Sequence, residues 1–290
     1  MEGGVVLGSK IFVVTDSTAC ISPETLAKYD NLLVVPLEAI FDDEVIDDGV
    51  LSDDEFYEKL ANSKKPSTSA PSEGKFIEVF HKAAEAGARN IICVTLSSKL
   101  SATYTNAGYA ATQLEKEGVW VYLHDSQFVS YGLAKQALIA SEMANRGASV
   151  EEITKTLEDL VDRTHLVVAL DTLEYLRRGG RIGRARRWLG ALLKLKPILE
   201  VAQGEVQPLE RAHGHRVAVK KLVNRAKTLG PLEDLAISHG LFPEGVQDFR
   251  EEMKLQGLRP DNLLEVPMTS VIAVHGGPKM LGFVAIERSR

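Results

Sequence analysis

The sequence predicts an α/β protein in two parts: an N-terminal parallel sheet flanked by helices, then an α+β part with a mixed or antiparallel sheet. Three observations carry this. Runs that are apolar throughout, Ile11–Thr15, Ile91–Leu96, Trp120–Leu123 and His165–Leu170, alternate with longer helical stretches, as strands covered by helices on both faces do. Beyond Leu173 the texture changes, and Pro197–Ala202 and Glu205–Glu210, joined by Gln203-Gly204, read as a hairpin. A chain of 290 residues is also long for one core, so two domains are expected, 1–164 and 165–290.

Taken in order, Ile11–Thr15 is a buried strand that delivers Asp16-Ser17-Thr18 at its C-terminal end. Ser22-Pro23-Glu24 opens a helix with an N-cap, a proline at N1 and an acid in the first turn. Leu32–Phe41 is the second strand. The acidic loop behind it holds Asp42, Asp43, Asp47 and Asp48 without the ligand spacing of a calcium loop. Ser52-Asp53-Asp54-Glu55 is a capping box for a helix reaching about Asn62, and Glu73–Ala86 is a helix closed by Gly87. Strand Ile91–Leu96 runs into Ser97-Ser98-Lys99-Leu100-Ser101, with a helix from Ala102 to Lys116 after it. Trp120–Leu123 ends in His124-Asp125-Ser126. Helices Gly132–Arg146 and Ser149–Arg163 lead to His165–Leu170, a fifth strand of the same apolar kind. After the hairpin come a helix at Arg216–Leu229, a strand at Leu235–Ser238 and a helix at Gly245–Gln256; Leu263–Pro267, Ser270–Val274 and Leu281–Ile286 read as strands.

Composition narrows the function classes. With 44% hydrophobic and 26% charged residues the chain is that of a soluble globular protein, and its net charge of −6 argues against nucleic acid as the main partner. No apolar run approaches the ~20 residues that span a bilayer, so no stable membrane insertion is expected. The lead-in Met1–Lys10 lacks a signal-peptide core, and Cys20 and Cys93 make no disulfide framework. A cytoplasmic protein is expected.

In open α/β sheets, ligands bind outside the C-terminal strand ends. That rule gathers Asp16-Ser17, the Ser97–Ser101 loop and Asp125-Ser126, with the stretch Pro66-Ser67-Thr68-Ser69-Ala70-Pro71-Ser72 opening onto the same edge. Thr68, Ser69, Ser98 and Ser101, with helix starts behind Ser72 and Ser101, form a candidate anion pocket. A Ser/Thr-rich loop ending in an N-cap at Ser72 is the alternative. With no G-x-S-x-G and no histidine in these loops, binding is favoured over covalent catalysis. His275-Gly276-Gly277-Pro278 places an imidazole beside a glycine turn, as a donor to an anion, an acid–base group or a structural histidine. Arg177, Arg178, Arg181, Arg184, Arg186 and Arg187 surround Gly179-Gly180, suited to a phosphate or carboxylate or simply a solvated face. His213-Gly214-His215 lacks a third ligand, so no metal is expected, and no dinucleotide or P-loop motif occurs.

Val14-Thr15-Asp16-Ser17-Thr18, Thr68-Ser69-Ala70-Pro71-Ser72, Leu96–Tyr104, Leu176-Arg177-Arg178-Gly179-Gly180-Arg181-Ile182 and the His275 turn, in that order, resemble the DegV family over nearly the whole chain. The resemblance implies a DegV-type fold and one long-chain fatty acid bound between two domains, with no other cofactor. It implies that Thr68, Ser101 and His275 hold the carboxylate, with Arg181 near the exposed head group. It also implies no catalysis by this chain, which would present its acyl ligand to the catalytic protein of a fatty acid kinase. The sequence departs from the family pattern at Lys99, Ala102 and Lys279, where glycine is common; Lys99 and Lys279 are expected to add charge near the head group, and Ala102 and Met280 to tighten it. An enzyme using His275 as acid–base or phospho-acceptor is the alternative, and a nucleic-acid module built on the arginines is a third reading.

Overall fold

The computed structural model describes residues 10–189 and 195–289; the lead-in expected before Lys10 lies outside them. The strands in chain order are β1 (Lys10–Asp16), β2 (Leu32–Val35), β3 (Glu38–Phe41), β4 (Glu44–Asp47), β5 (Ser67–Ser69), β6 (Ala88–Thr95) and β7 (Trp120–Asp125). They continue with β8 (Thr164–Ala169), β9 (Lys196–Ala202), β10 (Glu205–Ala212), β11 (Leu232–His239), β12 (Asn262–Pro267) and β13 (Leu281–Glu287). Three sheets result. One is parallel, ordered β2-β1-β6-β7. The second is mixed, ordered β10-β9-β8-β13-β11-β12, antiparallel except where β11 meets β12. The third is a small antiparallel sheet, β4-β3-β5.

Helices layer these sheets. Helices Glu73–Glu85 and Thr103–Glu115 cover one face of the parallel sheet through Phe76, Phe80, Ala107 and Leu114, packed on Phe12, Val14 and Ile91. Its other face shares one core with the mixed sheet. There Leu133, Ala137, Leu157 and Leu160, from helices Tyr131–Asn145 and Val150–Arg163, pack between Val13 and Ile92 on one side and Val284 and Ile286 on the other. Helices His215–Lys227 and Pro243–Gln256 close the far face of the mixed sheet.

Three expectations are corrected. Leu32–Phe41 is two strands in different sheets, because Pro36 has no N–H for a ladder and the Leu37 N–H donates instead to Ser17 Oγ at 3.1 Å. His165–Leu170 enters the mixed sheet antiparallel, since an apolar run marks a strand buried on both faces without stating its direction. Ser270–Val274 is helical within Ser270–Gly276; Val271 packs into the core between the two large sheets and Val274 into the core around Phe41 and Phe56, and Gly277 at φ 77° ends the helix. The acidic loop is a hairpin, β3 to β4, that turns at Asp42 with φ 54°.

Polar contacts fasten the layers across long sequence separations. Tyr131 Oη donates to Asp234 Oδ2 at 2.8 Å, Lys135 Nζ lies 2.6 Å from the same carboxylate, and Asn262 Nδ2 donates to Asp234 Oδ1 at 2.8 Å. Burial alone would raise the Asp234 pKa, yet the bonds from Lys135, Asn262 and Tyr131 outweigh it and hold the carboxyl below its ordinary 3.8. Its stabilisation is therefore present above pH 3.8 and lost as pH falls through the lower folded value. Asp234→Ala, which takes the acceptor from the buried Tyr131 hydroxyl and leaves Lys135 with Glu233, is expected to cost about 2 kcal/mol, measured as a lower urea midpoint at unchanged slope.

Candidate functional site

A cavity of about 840 Å³, counting the open space at its mouth, lies between the parallel and mixed sheets. Its wall is mostly apolar, with Leu166, Val168, Leu199 and Val201 from β8 and β9 and Met268 and Val271 opposite. The polar groups gather at one end from segments far apart in the chain. Thr68 stands on β5, paired with Ala39 of β3. His275 is in the last turn of helix Ser270–Gly276, and its Nε2 lies 2.8 Å from Thr68 Oγ1. Ser101 ends the loop after β6, its Oγ 2.9 Å from Thr103 Oγ1 and accepting from the Thr103 N–H. Arg181 turns inward, donating from Nε to the Leu100 carbonyl at 3.0 Å and from Nη1 to the Gly179 carbonyl at 2.7 Å. All four line the cavity, and all four are half-buried.

Burial, helped by the charge of Arg181, pushes the His275 pKa down to about 4. The imidazole is therefore neutral near pH 7 and has one N–H to give. Among the described residues its Nδ1, which is buried, has no hydrogen-bond partner. When Nε2 carries the proton it donates to Thr68 Oγ1, which frees the threonine O–H to donate into the cavity. With no carboxylate on Nδ1 to orient the ring, the pair lacks the third member of a nucleophile–histidine–acid relay.

Three features support this end from behind. The Asp16 carboxylate accepts from Thr18 N–H, Thr18 Oγ1 and the Leu96 N–H at 2.7 Å, fixing the start of the Ser97–Ser101 loop; burial raises its pKa to about 6. Asp48 accepts from Ser17 Oγ at 2.7 Å and from the Val271 N–H at 3.2 Å, tying β1 to the helix that carries His275. Gly179 makes room for the imidazole, since a Cβ there would stand 2.0 Å from His275 Nδ1. From the sequence Gly179-Gly180 reads only as a helix break; the break belongs to Gly180, at φ 72°, and the clearance to Gly179.

Two of the expected site residues point elsewhere. Ser98 is exposed and donates from Oγ to Asp125 Oδ2 at 2.5 Å, and Ser69 donates to the Ala70 carbonyl; neither lines the cavity. Ser72 caps its helix by accepting from the Lys75 N–H. Lys99 faces the β9–β10 hairpin, with Nζ donating to the Gln203 carbonyl at 2.9 Å. Lys279 lines a separate small pocket with Asp171 and Lys196, so neither lysine brings its charge into the cavity, while Met280 does line it. Lys279 has φ 56°, a conformation glycine adopts without strain. Of the arginine cluster, Arg177 and Arg178 are bound to Glu174, and Arg181 alone lines the cavity among the described residues. His215 pairs with Asp248, and no metal-binding cluster occurs among the described residues. No described helix is long and apolar enough to cross a membrane.

Residues 10–288 match the family profile described as "Uncharacterised protein, DegV family". A DegV domain-containing protein of Halalkalibacterium halodurans is 33% identical over 279 residues, covering 94% of this chain and 97% of that protein. Among solved structures, a fatty-acid-binding DegV family protein from Thermus thermophilus superposes with TM-score 0.87 at 30% identity, over 96% of this chain and all of that one. DegV, a fatty acid binding protein from Bacillus subtilis, superposes with TM-score 0.82 at 27% identity, over 97% and 100% of the two chains.

Two measurements check the geometry. In ligand-free protein the His275 ring is expected to titrate by NMR near pH 4. Because the folded value is depressed, the associated stability is complete above pH 6.5 and declines as pH falls toward 4. Gly179→Ala is expected to displace the ring, move that midpoint up toward 6.5 and cost about 1–3 kcal/mol by overpacking.

Proposed function

The chain belongs to the DegV family, and from that premise we propose that it holds one long-chain fatty acid in the cavity, carboxylate at the polar end, and presents it to a fatty acid kinase. The observation that carries this reading is the asymmetry of the cavity: Thr68, Ser101, Arg181 and His275 meet at one end of a wall built from leucine, valine and methionine.

The energetics divide accordingly. At ~0.8 kcal/mol per methylene, burying a sixteen-carbon chain gains on the order of 10 kcal/mol. The polar end then has to keep the carboxylate from being buried unpaired, which would cost several kcal/mol. Arg181 supplies charge, Ser101 and Thr68 supply hydroxyls, and neutral His275 orients Thr68. Half-burial of these four groups leaves the head group within reach of a second protein, as phosphoryl transfer to the carboxylate requires. The lack of a carboxylate on His275 Nδ1 among the described residues supports a binding role, and the kinase step rests on the resemblance of the five motifs to the family.

Organic extraction of the purified protein followed by mass spectrometry is expected to release a fatty acid; no acyl species, and no uptake of added palmitate or oleate, would overturn the proposal. Thr68→Ala and Ser101→Ala are each expected to weaken palmitate binding by about 10-fold or more, the usual weight of a hydrogen bond to a charged group, with the fold unchanged by circular dichroism. If both variants retain lipid as tightly as the parent, the head-group assignment is wrong. Added kinase catalytic protein and ATP are expected to yield an acyl phosphate on the parent protein.

A further inference from the structure

A second depression, about 650 Å³ with its open side counted, adjoins the cavity, and Leu166, Glu200 and Val201 line both. The strand ladder orders the two. On the antiparallel pair β8–β9, Leu166 stands opposite Val201 and Val168 opposite Leu199. Leu170 clusters with Leu176 and Met280 beside the polar end. From there the wall runs back along β8 to Leu166, about 13 Å at ~3.3 Å per residue. At Leu166 the second depression takes over, continuing to Thr164 on β8 and from Val201 to Gln203 on β9.

Its lining differs in kind. Gln127, Asp162, His165 and Gln203 join Glu200 there, and no lysine or arginine is among the described lining residues. The nearby cations are engaged elsewhere or from behind: Arg225 reaches Glu200 at 3.7 Å from helix His215–Lys227, and Lys99 holds the Gln203 carbonyl. His165 Nε2 lies 2.7 Å from Glu287 Oε1.

We infer that the tail end of the cavity opens into this polar vestibule, and that the protein accepts long-chain fatty acids bearing a terminal hydroxyl at the end remote from the carboxylate. The inference rests on the fatty-acid reading above. A hydroxyl arriving there can donate to Asp162 and accept from a glutamine amide, whereas in a closed apolar tunnel it would be buried unpaired. A second carboxylate would instead meet Asp162 with no lysine or arginine among the described lining residues to receive it, so the site discriminates against an α,ω-dicarboxylic acid.

Competition against radiolabelled palmitate tests this with three ligands: unlabelled palmitate, 16-hydroxyhexadecanoate and hexadecanedioate. The hydroxy acid is expected to bind within about fivefold of palmitate; a larger loss, such as the ~10-fold or more that an unpaired buried hydroxyl costs, would overturn the inference. Hexadecanedioate is expected to bind more weakly than the hydroxy acid. Asp162→Lys, at an exposed position, is expected to raise hexadecanedioate binding several-fold relative to palmitate. Dicarboxylate binding equal to that of the hydroxy acid, or unmoved by Asp162→Lys, would overturn the assignment of the vestibule. No palmitate binding at all would instead overturn the fatty-acid reading, and this inference with it.

Discussion

The polar end of the cavity depends on a carboxylate that does not line it. Asp48 is 8% exposed, and burial raises its pKa even though Ser17 Oγ and the Val271 N–H donate to it. A buried acid of this kind is tolerable only where its oxygens are satisfied. Satisfying them fixes three segments at once: the turn that follows β1, the exit from the β3–β4 hairpin, and the first turn of the helix that carries His275. The Thr68–His275 bond then follows, because Thr68 pairs with β3 and His275 rides on that helix. A structural anion thus sets the position of groups suited to receive a ligand anion, without contributing its own charge to the lining.

The cavity is also a matter of where packing stops. The face of the mixed sheet turned toward the parallel sheet is used twice. On β13, Val284 and Ile286 pack into the core that both sheets share, while on β8 and β9 Val168 and Leu199 line the cavity. The hairpin tip bridges the two sheets there, with Ser97 Oγ donating to the Gly204 carbonyl at 2.7 Å. Gly204 is needed at that spot, since a Cβ would stand 2.6 Å from Ser97 Oγ. Bulk on the helices fills one part of the gap between the sheets, and a polar contact spans another part, leaving an apolar space between them.

Much of this architecture was legible in the residues. The strand-end rule correctly gathered the loops after β1 and β6, and the hairpin at Gln203-Gly204 formed as read. What periodicity misses is context. The apolar run Ser270–Val274 fits a strand as well as a short helix, and only the Asp48 cap and the core contacts of Val271 and Val274 decide between them. Ser98 lies in the right loop, yet Asp125 on the adjacent strand takes its hydroxyl, a competition that no local pattern records. The clearance at Gly179 depends on the His275 side chain, far along the chain, and has no local signature beyond the glycine itself.

The place of β13 has a consequence for synthesis. This last strand, Leu281–Glu287, is inserted between β8 and β11, so the mixed sheet has no continuous centre until those residues are available. A nascent chain still holding them in the ribosome exposes two half-sheets with unpaired edges, β8 with its hairpin and β11 with β12, each a template for mispairing. The six-stranded sheet therefore closes only after nearly all of this chain has emerged. Its assembly is governed by contacts of long sequence separation, which fold slowly, and the inner edge strands are the surfaces a chaperone would need to shield in the interval.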